Sequence, residues 1–289
     1  MESINFKNDF KQILKNELDN NKVKYNDCED LRKFMIMYYD EMRKIPIIGI
    51  KYNVYFSREL KNKMQSLPIK TQDCIKDITQ RLEDGKSITT YLSKSALQAD
   101  KRDNQLQNWG IYHAHVAEVS TNYEQPAKRS DLVLFFIISK DNIYFIDVKK
   151  HPKNETWFDK SLIEIIYNNW RYLLRIDKRI KKVEPSIPDS KVHDLSKVSL
   201  FFIEIQGNMV LPINMGNTTA GNSVFSTEWS DDCYEKLMLW EEEILKVLNE
   251  NEKSFEVHLI EYDDGIVDIG GFKCAFSFYD GINTTIVNK

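Results

Sequence analysis

Apolar residues recur every three or four positions near the start of the chain, beginning with Phe6 and Phe10. Because residues at this spacing share one face of a helix, the pattern predicts a helix over residues 6–18. The same spacing predicts a second helix over residues 27–43. These two helices form a helical lead-in that we assign to residues 1–49.

The next segment changes from helical to strand-like composition. Residues 47–57 are rich in β-branched and aromatic side chains, which is typical of a strand. Two amphipathic helices are predicted after it, over residues 58–67 and 71–85, and Gly85 ends the second. The order in this part of the chain is therefore strand, helix, helix.

Three strand patterns and a helix pattern follow. Residues 110–119 alternate polar and apolar side chains, and residues 132–139 and 142–150 are mostly apolar with a short turn between them. This order predicts an antiparallel sheet. A long amphipathic helix is predicted over residues 157–182.

Beyond this helix, residues 183–194 contain two prolines and no periodicity, so we predict a linker there. Further strands, a helix over residues 231–249 and a strand over residues 266–278 predict a second, α/β unit at 195–289. The chain then reads as α+β, with a central domain at 50–182 and no internal repeat.

Charge is divided unevenly along the chain. Residues 1–182 contain 33 Lys and Arg against 25 Asp and Glu, a net charge of +8. Residues 183–289 contain 7 against 19, a net charge of −12. Such a split is typical of a chain with one part that faces nucleic acid, and also of an ordinary acidic accessory domain.

Composition narrows the class of protein. Hydrophobic residues make up 42% of the 289 positions, enough for a packed core, and no long apolar run is present. The start of the chain lacks the apolar stretch of a signal peptide or membrane span, so we expect a cytoplasmic protein without membrane contact. The four cysteines lie far apart without CxxC spacing, which predicts neither a disulfide framework nor a zinc ribbon.

Three of the five histidines lie between positions 113 and 151. His113 and His115 are two residues apart in a predicted strand, so their side chains project from one face. His151 follows the strand that contains Asp147 and Lys149. In an antiparallel sheet this strand end can approach the HxH strand, which would gather three groups that titrate near neutral pH. The alternative is that they are buried, hydrogen-bonded structural histidines.

The order of these segments resembles the RelE/ParE toxin superfamily, especially the histidine-rich mRNA interferases related to YafQ. The resemblance covers about residues 51–158 and depends on the runs YFSRELKNKMQSL, QDCIKDITQRLEDGKSI, NWGIYHAHV, SDLVLFFIISKDNIYFIDV and HPKNETWF. Members of this family also open with a strand and two helices. They continue with a Trp-Gly-like turn into a histidine-bearing strand, a hydrophobic hairpin and a late histidine followed by an aromatic residue.

The resemblance assigns roles to individual residues. His115 takes the position of the strand histidine, and His151 takes that of the late histidine. Trp157 or Phe158 takes that of the following aromatic residue, and Asp131 that of an acidic residue before the hairpin. The chain departs from the family in its lead-in, in its acidic C-terminal part, in a longer stretch at 117–130 and in the extra His113. The superfamily also contains gyrase inhibitors.

The chemistry that the resemblance implies is RNA cleavage without a metal or cofactor. One imidazole takes the proton of a ribose 2′-hydroxyl, and a second group protonates the departing 5′-oxygen, which leaves a 2′,3′-cyclic phosphate. Cations stabilise the phosphate, and an aromatic residue stacks on a base. The expected partners are RNA, including ribosome-bound mRNA, and an antitoxin or inhibitor protein. The predicted catalytic residues are His113, His115, His151, Asp131 and Asp147, and the predicted substrate-binding residues are Lys128, Arg129, Lys149, Lys150, Trp157 and Phe158.

Three other interpretations use the same residues. Asp131, Asp147 and Lys149 satisfy the loose D…DxK pattern of Mg²⁺-dependent PD-(D/E)xK nucleases. Three histidines also match a zinc site with an open position for water. A RelE-like fold can instead serve as a binding module without catalysis.

The segment GNTTAG at 216–221 matches no phosphate-binding fingerprint and is expected to be a surface loop.

Overall fold

The computed structural model describes residues 4–21, 23–46, 48–93, 103–119, 121–123, 131–151, 159–177, 179–180, 202–250, 256–263, 273–279 and 284–288. The protein is α+β, as predicted. Its chain divides into two compact units. The central unit is Arg43–Phe225, and the terminal unit combines Met1–Met42 with Ser226–Lys289.

A four-stranded sheet forms the middle of the central unit. Its strands are β1 (Asn53–Phe56), β2 (Ile111–His115), β3 (Leu132–Ser139) and β4 (Asn142–Lys150), in the order β1-β4-β3-β2. Strands β2, β3 and β4 pair antiparallel, as expected from the short turn between the last two. Strand β1 pairs with β4 in parallel, so the sheet is mixed rather than wholly antiparallel. The parallel pair is possible because helices and two other strands separate β1 from β4 along the chain.

Helices cover both faces of this sheet. On one face lie α3 (Arg58–Met64) and α4 (Ile69–Glu83), the two helices predicted after β1. The opposite face packs against α6 (Lys160–Trp170), and the short helix α5 (Asn104–Trp109) precedes β2. The core on the α4 side includes Cys74, Ile75, Ile78, Phe136 and Phe145, and the core on the α6 side includes Val133, Phe135, Ile146, Leu162, Ile163 and Ile166.

The long helix predicted over residues 157–182 is wrong in its second half. Helix α6 ends at Trp170, a 3₁₀ turn follows at Arg171–Leu173, and strand β5 occupies Arg175–Asp177. Strand β5 forms because its backbone pairs with a later strand, an interaction that helical periodicity does not detect. Residues 157, 158, 178, 181 and 182 of that prediction lie outside the described residues.

A second, three-stranded sheet completes the central unit. It consists of β5, β6 (Ile203–Ile205) and β7 (Asn208–Leu211), in the order β5-β7-β6. Because β5 precedes the predicted linker and its partners follow it, the division between the units does not coincide with the predicted boundaries at 182 and 195. The linker at residues 183–194 itself lies outside the described residues.

The terminal unit joins the two ends of the chain. Its helices are α1 (Phe6–Asn20), α2 (Leu31–Met42) and most of α7 (Val224–Glu250), which includes the predicted helix at 231–249. Its strands β8 (Glu256–Asp263), β9 (Lys273–Tyr279) and β10 (Thr284–Asn288) form one antiparallel sheet. Buried residues of its core include Phe6, Phe10, Leu14, Leu18, Phe34, Met35 and Tyr38.

Contacts between residues that are far apart in sequence hold this unit together. Asp9 of α1 accepts a hydrogen bond from the backbone N–H of Leu259 at 3.0 Å, and its carboxylate lies 3.4 Å from His258 Nδ1. Trp229 of α7 stacks on Tyr38 of α2 with ring centroids 5.6 Å apart. The first helices therefore complete their packing with residues from the end of the chain.

The uneven charge follows the two units. The central unit contains 28 Lys and Arg against 20 Asp and Glu, a net charge of +8. The terminal unit contains 12 against 24, a net charge of −12. No helix within the described part of the chain is both long enough and apolar enough to cross a membrane.

Candidate active site

Strand pairing brings the three predicted histidines to one end of the central sheet. His113 and His115 lie on β2, opposite Phe135 and Val133 of β3. His151 follows β4, and its backbone N–H donates to the carbonyl oxygen of Asp131 at 2.5 Å, which extends the pairing of β3 and β4 by one residue. The HxH strand and the end of β4 are thus held on either side of β3.

The three imidazole rings form a compact cluster. Ring centroids are 6.3 Å apart for His113 and His115, 5.9 Å for His113 and His151, and 5.6 Å for His115 and His151. The rings of His115 and His151 are nearly parallel, with an interplanar angle of 4°. His115 is only 7% exposed, and two imidazoles this close together can act on one substrate group, as general acid–base catalysis requires.

Asp103 is the residue that orients His113. Its carboxylate Oδ2 lies 3.3 Å from Nδ1 of His113, while Oδ1 accepts the backbone N–H groups of Gln105 and Leu106 as the N-cap of α5. Burial of this carboxyl would raise its pKa, but the hydrogen bond and charge of His113, with the two N–H groups, lower the pKa below its ordinary value. Asp103 is therefore an anion beside the imidazole.

Helix α5 connects Asp103 to the HxH strand at a fixed distance. Gly110 is its C-cap, with a φ of 63° in the left-handed region, and β2 starts at the next residue. The side chain of Asn214 donates to the carbonyl oxygen of Leu106 at 2.8 Å and accepts from Arg43 at 3.0 Å. This network holds the segment that carries both Asp103 and His113.

Lys149 lies on the same face of the sheet as the histidines. It is opposite Val133, which is in turn opposite His115 on the next strand. Its ammonium group lies 2.7 Å from Oδ2 of Asp159 and also donates to Ser161 Oγ. Burial would raise the pKa of Asp159, but hydrogen bonds from Lys149 and Ser161 lower it, so the carboxylate is ionised. Lys149 is thus positioned by the N-terminal turn of α6.

Lys150 and Asp131 are placed differently from the other predicted residues. Lys150 follows Lys149 directly, so its side chain projects from the opposite face, and it is exposed. Asp131 is exposed, and its backbone, not its carboxylate, contacts His151. Neither side chain is shown to contact the histidine cluster.

Asp147 is a buried partner of Lys63. Its side chain is only 6% exposed and accepts two hydrogen bonds from the ammonium group of Lys63, at 2.7 and 2.9 Å. In the register of β3 and β4 it lies opposite Phe135, four residues from Asp131, a separation of about 13 Å along an extended strand. A single Mg²⁺ ion bound by both carboxylates, at about 2.1 Å from each, does not fit this spacing.

The remaining predicted residues, Lys128, Arg129, Trp157 and Phe158, lie outside the described residues. Within the described ranges, no group of three or more His, Cys, Asp or Glu side chains has an arrangement that could hold a metal ion. The geometry of the described histidines therefore does not support the zinc interpretation.

Asp103 was not predicted from the sequence. The signal for it is local: Asp103 precedes a short helical segment that ends in Trp109 and Gly110, the usual order of an N-cap, a helix and a left-handed C-cap. Its contact with His113 depends on the path of α5, which the sequence pattern does not specify.

Comparison with family models, with curated proteins and with solved structures finds no match to this chain. The functional assignment therefore depends on the site itself.

Proposed function

We propose that the central unit is a metal-independent endoribonuclease that cleaves RNA by attack of a ribose 2′-hydroxyl. The observation that carries this proposal is the cluster of three imidazoles, with ring centroids 5.6 to 6.3 Å apart, on one face of the sheet. Groups that titrate near neutral pH suit a reaction in which one side chain accepts a proton and another donates one.

His115 and His151 are the general acid–base pair in this proposal. One imidazole accepts the 2′-hydroxyl proton while O2′ forms a bond to phosphorus. The other, as imidazolium, protonates the 5′-oxygen as the P–O5′ bond breaks, which gives a 2′,3′-cyclic phosphate and a 5′-hydroxyl. Lys149 stabilises the negative charge on the phosphate, and His113 is held by Asp103 beside the pair.

Two further features support RNA as the substrate. The central unit has a net charge of +8, which favours association with a polyanion. The segment order resembles RelE/ParE toxins, and on that basis we propose a toxin-like or defence-related role, with an antitoxin or inhibitor protein as a partner and ribosome-bound mRNA as one form of the substrate.

The deciding experiment is cleavage of labelled single-stranded RNA by the full chain, in EDTA and in Mg²⁺. We expect cleavage in EDTA with cyclic phosphate ends, reduced about 100-fold or more in His115→Ala and in His151→Ala. The matched control is His258→Ala, which removes a half-exposed histidine of the terminal unit. It should cleave like the unchanged protein.

Other outcomes assign the protein to another class. Cleavage that requires Mg²⁺ and is lost in Asp147→Asn would identify a metal-dependent nuclease. Absence of cleavage on free RNA and on translating ribosomes would identify a binding module. Cleavage on ribosomes alone would keep the histidine mechanism and restrict the substrate.

A further inference from the structure

A cluster of four aromatic side chains lies on the central unit at the C-terminal end of α6. Tyr55 of β1 stacks on Tyr144 of β4, with ring centroids 5.3 Å apart and an interplanar angle of 18°. Tyr144 also contacts Trp170 edge-on at 5.0 Å and Tyr172 at 6.3 Å. We call these four residues the aromatic platform.

Two rings of the aromatic platform face solvent. Tyr55 is 46% exposed and Tyr172 is 72% exposed, whereas Tyr144 beneath them is only 6% exposed. Among the described strands, β1 lies at the edge of its sheet, so none of them pairs with the outer side of the strand that carries Tyr55. The platform therefore presents aromatic surface on a fixed base.

Burial and a hydrogen bond keep the phenol of Tyr144 neutral. The hydroxyl of Tyr172 donates to that of Tyr144 at 3.1 Å. Burial, and then this hydrogen bond, raise the pKa of Tyr144 above its ordinary value. The buried ring is uncharged throughout the neutral range and adds no repulsion toward an anionic ligand.

Two arginines border the aromatic platform and have neutral partners. Arg58 donates to the carbonyl oxygen of Asn168 at 3.0 Å and to Oδ1 of Asn169, one residue before Trp170. Arg171, which separates Trp170 from Tyr172, donates to Oδ1 of Asn208 at 3.2 Å. Among the described residues, neither guanidinium forms a direct ion pair with a carboxylate, although Asn169 links Arg58 to the carboxylate of Glu59.

We propose that the aromatic platform binds single-stranded RNA, with bases stacked on Tyr55 and Tyr172 and phosphates contacted by Arg58 and Arg171. Exposed aromatic rings beside cations form the usual recognition surface for unpaired bases, whose faces are hidden in a duplex. The exposed rings and the arginines are features of the structure, whereas the choice of RNA over DNA rests on the proposed function.

The aromatic platform is separate from the histidine cluster. Lys149, beside the histidines, contacts Ser161 at the N-terminal end of α6, and Trp170 is the last residue of the same helix. Eleven helical residues span about 16 Å, so a substrate must be several nucleotides long to occupy both sites. The platform thus favours long, unpaired RNA over short fragments.

The test measures binding in the full chain with His115→Ala, which prevents cleavage under the proposed mechanism. Fluorescence anisotropy of a labelled single-stranded RNA long enough to reach both sites should show affinity reduced roughly tenfold by Tyr55→Ala and by Tyr172→Ala. Tyr172→Phe keeps the ring and should bind nearly as well as the parent. Ile69→Ala is the matched control, because Ile69 is 75% exposed in the same unit but lies on α4.

The charged residues have a second readout. Arg58→Gln and Arg171→Gln should each reduce the slope of log affinity against log salt concentration by about 0.7, the value for one phosphate contact in a single strand. Lys76→Gln, which removes a cation paired with Asp73, should leave the slope unchanged. If Arg58→Gln disturbs folding, Arg58→Lys is the variant to compare. It keeps the positive charge, so the slope should stay as in the parent.

Binding that is unaffected by both tyrosine substitutions would overturn the proposal. Equal affinity for duplex RNA would also overturn it, and equal affinity for single-stranded DNA would overturn the assignment to RNA. Failure of the cleavage proposal is distinguishable, because tyrosine-dependent binding of RNA that the unchanged protein never cleaves would leave the aromatic platform in place.

Discussion

Asp103 shows how one side chain can serve local structure and chemistry together. One carboxylate oxygen caps α5, and the other lies beside His113. Asn is as good an N-cap as Asp, so replacing Asp103 with Asn keeps the helix start and removes the negative charge. This substitution therefore isolates the interaction with His113.

We expect Asp103→Asn to lower the free energy of unfolding at pH 7 by about 1–2 kcal/mol, because a charge-assisted hydrogen bond is lost. The folded pKa of Asp103 lies below the ordinary value of 3.8, so its stabilisation is present above that pH and is lost as the pH falls further. Urea unfolding of both proteins should show a difference at pH 7 that decreases once the pH falls below 3.8. A difference that stays constant or grows as the pH falls below 3.8 would contradict this assignment.

Lys63 and Asp147 form an ion pair in which the carboxylate is buried and the lysine is partly exposed. Lys63→Met leaves the buried carboxylate without its cation and should reduce the free energy of unfolding by about 2–3 kcal/mol. The effect is smaller than for a fully buried pair because the lysine side chain is 36% exposed. Urea unfolding at pH 7 measures it.

The matched control for this pair is the double variant Lys63→Met with Asp147→Asn. Removing the unpaired charge should recover most of the lost stability, since the uncompensated carboxylate causes the loss. If Lys63→Met alone unfolds at the same urea concentration as the unchanged protein, water screens Asp147 and the pair contributes nothing.

For individual residues, the alternation of side chains along a strand and the spacing of the histidines predicted part of the candidate site. A period of two placed His113 and His115 on one face, and the antiparallel hairpin placed His151 at a strand end that can approach the HxH strand. Asp103 and Lys63 were not predicted, because their contacts with His113 and Asp147 depend on where α5 and α3 pack. Asp147 was predicted to be catalytic, and the structure shows it bound to Lys63.

Among the elements, α5 depends on a glycine at its end. Gly110 has a left-handed backbone, and a Cβ there would lie 3.5 Å from Asn214 Nδ2, an ordinary contact. Gly110→Ala should therefore cost about 1 kcal/mol through backbone strain rather than through a clash. The strain should shift α5 and reduce RNA cleavage, measured beside urea unfolding.

Gly207 provides the comparison for Gly110. It also has a positive φ, of 75°, and a Cβ there would meet nothing within 4 Å. Gly207→Ala should lose a similar amount of stability without affecting cleavage, because the turn between β6 and β7 is remote in sequence from α5. Equal losses of cleavage in both variants would mean that general destabilisation, not the position of α5, controls activity.

Elements with strong local patterns were predicted well, and elements that depend on distant partners were not. Amphipathic spacing predicted α1, α4 and α7. The strand β5 was predicted as helix, because a three-residue strand has too few positions to show a period of two and its pairing partner lies beyond residue 207. The parallel direction of β1 depends on the same kind of distant pairing.

For the whole molecule, the α+β class was predicted and the division into units was not. A boundary was expected at residues 183–194, where two prolines interrupt the periodicity. The units are instead defined by contacts between α1, α2 and the last 64 residues, and a pattern read along the chain contains no information on such contacts. The charge split of +8 and −12 is the feature that survives, because the two segments that change sides, residues 1–42 and residues 183–225, each carry a net charge of −2.

We expect truncation after Phe225 to leave α1 and α2 with exposed apolar surface. Residues such as Phe10 and Tyr38, buried in the full chain, would lose their contacts with Trp229. The truncated chain should bind a hydrophobic dye and aggregate in size-exclusion chromatography. Removing residues 1–42 as well takes the apolar helices away, so residues 43–225 alone should elute as a soluble species. Aggregation of both fragments would contradict the division into units.

Because the terminal unit combines segments from before and after the central unit, the ribosome completes the central unit first. All residues of the basic central unit have been added before Ser226, the first residue of the segment that completes the acidic unit. At about 5–20 residues per second, the ribosome needs several seconds more to add the 64 residues from Ser226 to Lys289. During each round of translation the histidine cluster can therefore assemble before the segment that packs against helices α1 and α2 has been made. The nascent chain passes through a stage in which only the positively charged unit is complete.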